Sequence, residues 1–451
     1  MPQVPISARG RDAAAAWRIH GGWGVNGVLQ PAGDKSIGHR AVLLAALARG
    51  RSEIRGLPDG EDVARTRRAM GQMGVGFDAA DGVWTVHGHG LRGLHPPAGD
   101  LDCGNSGTTM RLLCGVLAAQ PFPARLVGDE SLSRRPMRRV ADALGAMGAR
   151  IECAGDAGRP PLEIRPAPRP LAGITHRLDV DSAQVRSALF LAGLYAGGPT
   201  RIEPLGASRD HTERMLRACG VIVRSDAGGV TLMPIRTGWD GFEARVPGDL
   251  SSAVFWIVAA GVTAGARLRV DGVGLNPGRA RVLDILRRAG MDIAMQVQGE
   301  ERGEPWGRID VRGVATLAAV DLRGADVVRC IDEVPALAAA ACAAGTSLRV
   351  RDAAELRTKE SDRIAAILRL AAAFGARGTG STDGFRIEPG TLLRAARFDA
   401  AGDHRLAMAA AVLAFRAPGD SHIDGVHGVA TSYPAFVADA ARLLRPLPAV
   451  R

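Results

Sequence analysis

Lysine is nearly missing from this chain. A protein of 451 residues with average composition would hold on the order of 25 lysines. Only Lys35 and Lys359 occur, against 57 Lys+Arg in all. Arginine replaces lysine almost everywhere, an exchange that exposed positions tolerate easily, so the two lysines that persist are informative. Aromatic residues are scarce as well, at 4%, which leaves few faces for stacking nucleic-acid bases. The net charge of +10 and pI near 10.2 come from arginines scattered along helical stretches. That pattern favours small anions over nucleic acid. No CxxC pair occurs among Cys103, Cys114, Cys153, Cys219, Cys330 and Cys342, so buried free thiols are expected, not disulfides or zinc. No apolar run reaches the roughly 18 residues of a membrane span; AVFWIVAAGVTAGA at 253–266 comes nearest. The opening MPQVPISARGRDAAAAWRIHGG has no apolar h-region, so a cytoplasmic protein with a frayed first segment is expected.

What is present is a large apolar fraction, 46%, and a length that suggests two or three domains. Within it one pattern recurs six times: a polar cluster, an Ala/Leu-rich helix, a short strand, and an amphipathic helix ending in glycine. The clusters are PAGDKS, CGNSGTT, DVDSAQ, VPGDLSS, CIDEVP and AGDHR. The runs that follow, such as HRAVLLAALARG and AVFWIVAAGVTAG, are apolar all round and are predicted to be buried on every side. Strand-like pieces such as SEIRGL, ARLVGD and SLRVRDA lead into helices such as EDVARTRRAMGQMGVG, whose closing glycine fits a C-terminal cap. The six units split into two groups of three, dividing near residue 246. The expected domains are 1–32 with 247–451, and 33–246 inserted between them. The class is α/β with mixed sheets.

A helix that starts at a polar cluster presents free N–H groups and a positive dipole end, both suited to anions. For any single cluster, plain capping by Ser, Asp or Asn explains the residues equally well. Six together, two of the repeated units carrying the only lysines, point to anionic ligands. PAGDKS is not an ATP loop: Asp34 stands where the glycine before the lysine belongs, and Leu29 where the first glycine belongs. GVGLNPG at 272–278 misses the dinucleotide spacing. His87, His89 and His95 in HGHGLRGLH read as a polar hairpin sooner than a metal trio.

Ten segments in order, GDKSIGHRAVLLAAL, LDCGNSGTTMRLL, LVGDESLSRRPMRRV, DSAQVRSAL, SRDHTERML, VPGDLSSA, IDEVPALA, AELRTKESDRI, GDHRLAMA and TSYPAF, resemble the EPSP synthases, a family of enolpyruvyl transferases. The resemblance covers nearly the whole chain. It implies two domains of three similar units each, of the inside-out α/β barrel type, with the active site in the cleft between them. It implies transfer of the enolpyruvyl group of phosphoenolpyruvate to the 5-hydroxyl of shikimate 3-phosphate, with release of phosphate. Neither a metal nor an organic cofactor is implied, and a cytoplasmic monomer acting on small molecules, without nucleic acid or membrane, is expected. The related transferases that act on UDP-N-acetylglucosamine carry a reactive cysteine before their Arg-Pro motif. GDESLSRRP here has none, which favours the shikimate substrate.

By position in these motifs, Lys35 resembles the lysine between the two substrates, and Lys359 one that holds the shikimate phosphate. Ser36 and Arg40 resemble ligands of the shikimate ring and carboxylate. Ser182, Gln184 and Ser208 resemble the phosphate side, with Ala183 between the first two and Arg209 assisting. Gly107, Arg135, Gln184, Arg363 and Arg405, with Lys35, resemble the phosphoenolpyruvate site. Asp332 resembles both a shikimate ligand and the carboxylate that takes the 5-hydroxyl proton, and Glu360 the carboxylate that exchanges a proton with the methylene carbon. Without the motifs, the arginines would read as solvated or carboxylate-paired and the two acids as helix caps. Asp249, Ser251 and Ser252 read as structural, and His404 as positioning its loop.

Three departures qualify the resemblance. Asp34 stands where serine is common, Ala183 removes a hydroxyl that some members have, and Thr431 stands where many bacterial members carry a lysine. Gly107 implies sensitivity to glyphosate. Two other readings remain open at this point: transfer to a different hydroxyl acceptor, and a noncatalytic RNA-binding protein on a related repeat fold.

Overall fold

The computed structural model describes residues 6–9, 15–204, 206–390 and 392–447. The opening segment expected to fray lies largely outside them. The chain forms two compact units: residues 1–32, 248–299 and 305–451 make the first, and 33–247 with 300–304 the second. Each has its own hydrophobic core.

Six helices carry the apolar runs: α1 (Lys35–Ala46), α2 (Gly107–Leu117), α3 (Ala183–Gly193), α4 (Leu250–Gly261), α5 (Val334–Ala344) and α6 (His404–Arg416). Every residue of α4 is buried, as its unbroken apolar sequence requires. Side chains at the helix starts cap five of the six: Asp34, Ser106, Ser182, Asp249 and Asp403 each accept a backbone N–H of the first turn. In α2, Gly115 allows close contact with α3, since a Cβ there would lie 2.3 Å from the Ala188 carbonyl oxygen. The core of the first unit centres on Trp256, stacked 4.9 Å from Phe436 and 5.9 Å from Phe415. Its indole N–H donates to the Tyr433 hydroxyl, 3.0 Å.

The amphipathic helices follow the expected segments, at Glu61–Gln72, Arg138–Ala146, His211–Ala218, Pro277–Arg288 and Arg363–Ala373. The glycines after them, Gly74, Gly148, Gly220, Gly290 and Gly375, all adopt φ between +82° and +100°, a left-handed conformation in which glycine alone avoids strain.

The sheets hold more than the one strand per unit that the sequence suggests. Leu101–Asp102 runs parallel to Ala124–Val127 across α2, and Arg159–Arg165 and Arg150–Gly155 complete that sheet antiparallel. The same order recurs in the other sheets, with one extra strand in the sheet that contains Arg267–Gly274. Two strands pair across long sequence gaps. Trp23–Leu29, which precedes α1 in the chain, pairs parallel with Arg267–Gly274 and antiparallel with Leu444–Pro446 in the first unit. Glu243–Arg245, which precedes α4, pairs parallel with Arg49–Arg55 in the second.

All six cysteines are free; five are buried, but Cys153 is only half-buried, on an outer strand. Among the described residues no helix is long and apolar enough to cross a membrane.

Candidate active site

In the second unit the residues singled out gather at the starts of α1, α2 and α3. Lys35, the first residue of α1, directs its ammonium to the Asp62 carboxylate at 2.7 Å. Asp34 caps the same helix through the Ile37 N–H at 2.9 Å. Asp62 also reaches α2, because its carbonyl accepts from the Thr109 hydroxyl, 3.2 Å. Ser36 lies in the first turn of α1 and its carbonyl accepts from Arg40. Arg40 itself turns into the interior. It donates to the hydroxyls of Thr212 and Ser187, each at 2.7 Å, and ties α1 to α3 and to helix His211–Ala218. Burial lowers its guanidinium to about 10 despite Glu213 and Asp34 nearby, which leaves it charged at neutral pH.

Gly107 opens α2 behind the cap Ser106. A Cβ there would lie 2.6 Å from Arg111 Nη1 and 3.5 Å from Arg135 Nη1, so two guanidinium groups converge on this helix start. Arg135 is buried and donates to Asn105 Oδ1 at 2.6 Å. Arg111, which the sequence reading passed over, donates to Gln184 Oε1 at 2.7 Å and to the Pro136 carbonyl at 3.2 Å. Gln184 in turn donates to Thr108 Oγ1 at 2.9 Å. Gly107, Arg135 and Gln184 are thus brought together, with Arg111 as the tie. Ser182 caps α3 and Ala183 begins it. Ser208 lies beside the residue before that cap, donating its hydroxyl to Asp181. The carbonyls of Ser208 and Arg209 accept from Arg186.

In the first unit, Asp332 precedes α5 and faces three cations. Arg363 Nη1 lies 3.5 Å from its Oδ1, Lys359 Nζ 4.0 Å from the same oxygen, and Arg405 Nη2 3.9 Å from Oδ2. Arg405, in the first turn of α6, also donates to the Asp332 carbonyl at 2.7 Å. Lys359 reaches Glu355 at 3.3 Å. Arg363 is fully buried and sits among carboxylates, at 2.6 Å from Glu360, 2.9 Å from Asp403 and 3.5 Å from Asp332. Burial opposes its charge, but these carboxylates outweigh it and hold the group above its ordinary value. Asp403 has two tasks: it caps α6 at the Arg405 N–H, 3.0 Å, and it receives Ser361 Oγ at 2.9 Å. His404 lies buried in the first turn of α6. Asp249 caps α4 and pairs with Arg279 at 2.7 Å, in keeping with a structural part. Thr431 donates to the Gly428 carbonyl at 2.7 Å.

Each unit therefore collects cations and N–H donors at the starts of its buried helices, an arrangement that suits phosphate and carboxylate. The histidines of HGHGLRGLH do not converge: His87 pairs with Asp78 at 2.8 Å, while His89 meets the Gly74 carbonyl at 2.9 Å and stacks on His95. Among the described residues, no group of three or more His, Cys, Asp or Glu side chains is placed to hold a metal.

Residues 19–439 match the family described as EPSP synthase (3-phosphoshikimate 1-carboxyvinyltransferase). The chain belongs to the EPSP synthase family. A 3-phosphoshikimate 1-carboxyvinyltransferase of Acidithiobacillus ferrooxidans is 48% identical over 410 residues, covering 90% of this chain and 92% of that protein. One of Syntrophotalea carbinolica is 45% identical over 411 residues, covering 91% and 94%. Among solved structures, an EPSP synthase from Acinetobacter baumannii superposes with a TM-score of 0.81 at 38% identity, over 94% of this chain and 97% of that one. The enolpyruvyl transferase NikO from Streptomyces tendae has a TM-score of 0.76 over 96% of this chain and 99% of its own, at 20% identity, and so shares the fold. Lys35, Gly107, Arg135, Asp332, Glu360 and Arg405 all lie in segments that resemble the family's motifs. The motifs assign no part to Asp62, Arg111, Asp181, Arg186 or Asp403, whose contacts the structure supplies.

Proposed function

We infer that the protein is a 3-phosphoshikimate 1-carboxyvinyltransferase, moving the enolpyruvyl group of phosphoenolpyruvate to the 5-hydroxyl of shikimate 3-phosphate. The observation that carries the mechanism is the Asp332 carboxylate facing Lys359, Arg363 and Arg405 within 4.0 Å. Two phosphorylated carboxylates repel one another, and bringing them together requires dense, preorganised positive charge. We propose that the two units act on one substrate pair, each an inside-out α/β barrel contributing its helix starts. Gly107, Arg135 and Gln184 take phosphoenolpyruvate from one unit, and Arg363 and Arg405 from the other. Ser36, Arg40, Ser182, Ser208, Arg209 and Lys359 hold shikimate 3-phosphate. Lys35 serves both.

In the addition step, Asp332 accepts the proton of the 5-hydroxyl as its oxygen bonds to C2 of phosphoenolpyruvate, and C3 takes a proton. In the elimination step C3 loses a proton, the bond from C2 to the phosphate oxygen breaks, and phosphate leaves. Glu360, held by Arg363 at 2.6 Å, handles the proton at C3. The protein is proposed to work in the cytoplasm as a monomer.

The test is phosphate release. Both substrates together release phosphate; either one alone, or phosphoenolpyruvate with UDP-N-acetylglucosamine, releases none. Silence with the shikimate pair, or turnover with the nucleotide sugar, contradicts the reading.

A further inference from the structure

In the second unit, a carboxylate already occupies donors that the proposed function assigns to the substrate phosphate. Asp181 Oδ2 accepts the Ser208 backbone N–H at 2.7 Å, and Oδ1 accepts the Ser208 hydroxyl. Arg186 Nη1 stands 3.8 Å from the same Oδ1. The surrounding loop is shaped around this group. A Cβ at Gly206 would fall 2.2 Å from Asp181 Cγ and 2.3 Å from each of its oxygens, so any larger residue there would overlap the carboxylate. The loop is also held from behind. Arg186, itself buried, donates to the Ser208 and Arg209 carbonyls at 2.8 and 2.7 Å and pairs with Glu213 at 2.7 Å.

Two consequences follow from elementary electrostatics. Ser208 cannot donate its only hydroxyl proton to a phosphate while Asp181 holds it. A phosphate arriving near Ser182 and Ser208 meets a like charge at short range, in surroundings less polar than water. The carboxylate side chain is about one-quarter exposed, so it has room to turn outward.

We propose that Asp181 is an internal stand-in for the substrate phosphate, which shikimate 3-phosphate must displace from Ser208, and that Asp181 thereby weakens binding of that substrate. Arg186 is the positioning residue that keeps the Ser208–Arg209 backbone in place when the exchange occurs. The proposal rests on the assignment of shikimate 3-phosphate to this site.

The experiment compares wild type, Asp181→Ala and Asp181→Asn in the full-length protein. Steady-state phosphate release gives KM for each substrate, and calorimetry gives affinities for shikimate 3-phosphate and for unphosphorylated shikimate. Removal of the competing charge is expected to lower KM and Kd for shikimate 3-phosphate by about tenfold, with KM for phosphoenolpyruvate and affinity for shikimate unchanged. In the Asp181→Ala background, Ser208→Ala then costs more affinity than it does in wild type, since the hydroxyl has been freed for phosphate. An unchanged or weaker affinity for shikimate 3-phosphate in the Asp181 variants overturns the proposal, because it makes Asp181 a plain loop anchor. Equal tightening toward shikimate overturns it too, since shikimate has no phosphate to gain. Should Asp181→Ala fail to fold, the isosteric Asp181→Asn decides alone. Absence of turnover in the wild type, by contrast, refutes the functional reading itself.

Discussion

At the scale of single residues, the two lysines contrast with the arginines around them. A lysine offers a compact charge on a slender stem, where guanidinium is a wide planar fork. Lys35 is about four-fifths buried against Asp62, and Lys35→Arg is expected to lower turnover by about a hundredfold or more in a phosphate-release assay, because the fork misplaces the charge. Retention of full turnover would contradict the role given to this lysine. His39, on the same helix, is fully buried with Nδ1 2.7 Å from Thr66 Oγ1. Burial, then the charges of Lys35 and Arg40, hold its imidazole well below 6.5. The folded protein therefore keeps His39 neutral in a pH range where the unfolded chain protonates it. The unfolded state binds more protons, so stability falls as pH drops below about 6.5, by at most about 1.4 kcal/mol per pH unit. Urea unfolding of His39→Gln between pH 6.5 and 5 is expected to show a shallower decline than wild type. What the sequence concealed were the pairings between residues distant along the chain. Lys35 meets Asp62 and Arg363 meets Asp403, and no local pattern announces such pairs. A cue did exist for Arg111 and Arg186: each is a lone arginine in an apolar helical run, and a buried charge requires partners.

At the scale of elements, buried helices and their polar starts were readable because an unbroken apolar run can satisfy its backbone in water-free surroundings most simply as a helix. The closing glycines were readable for the reason of backbone geometry already given. The antiparallel strand pairs were not. Arg159–Arg165 lies between two other strands, yet begins RPPL, and proline cannot donate to a ladder. The structure resolves the conflict with a register shift between Arg159 and Leu162 that places both prolines in an irregularity. The cluster AGDHR looked like an ordinary cap. Its Asp403 caps α6 and also neutralises Arg363, both within a fully buried setting. Asp403→Asn keeps a capping oxygen but leaves the guanidinium short of countercharge. It is expected to destabilise the protein by about 3–5 kcal/mol, read as a lower thermal midpoint. An unchanged midpoint would mean that Glu360 and Asp332 suffice.

At the scale of the whole molecule, the first unit is assembled from both ends of the chain. Ala16–His20 pairs with Asp420–Asp424, and Trp17 stacks 5.2 Å from Phe436. Ile6, Trp17 and Ile19 are all buried, at about 1.5–3 kcal/mol each, which together approaches the net stability of an ordinary domain. Deleting residues 1–22 is therefore expected to abolish cooperative thermal unfolding of that unit in a calorimetric scan; two intact transitions would show the segment to be dispensable. The pairing of Trp23–Leu29 with Arg267–Gly274 and Leu444–Pro446 also sets a timetable on the ribosome. At about 5–20 residues per second, roughly 20 to 80 s elapse between synthesis of that strand and arrival of its last neighbour. The inserted unit has meanwhile nearly all its chain and can mature first, while the leading ribbon waits with open edges until its partners are made.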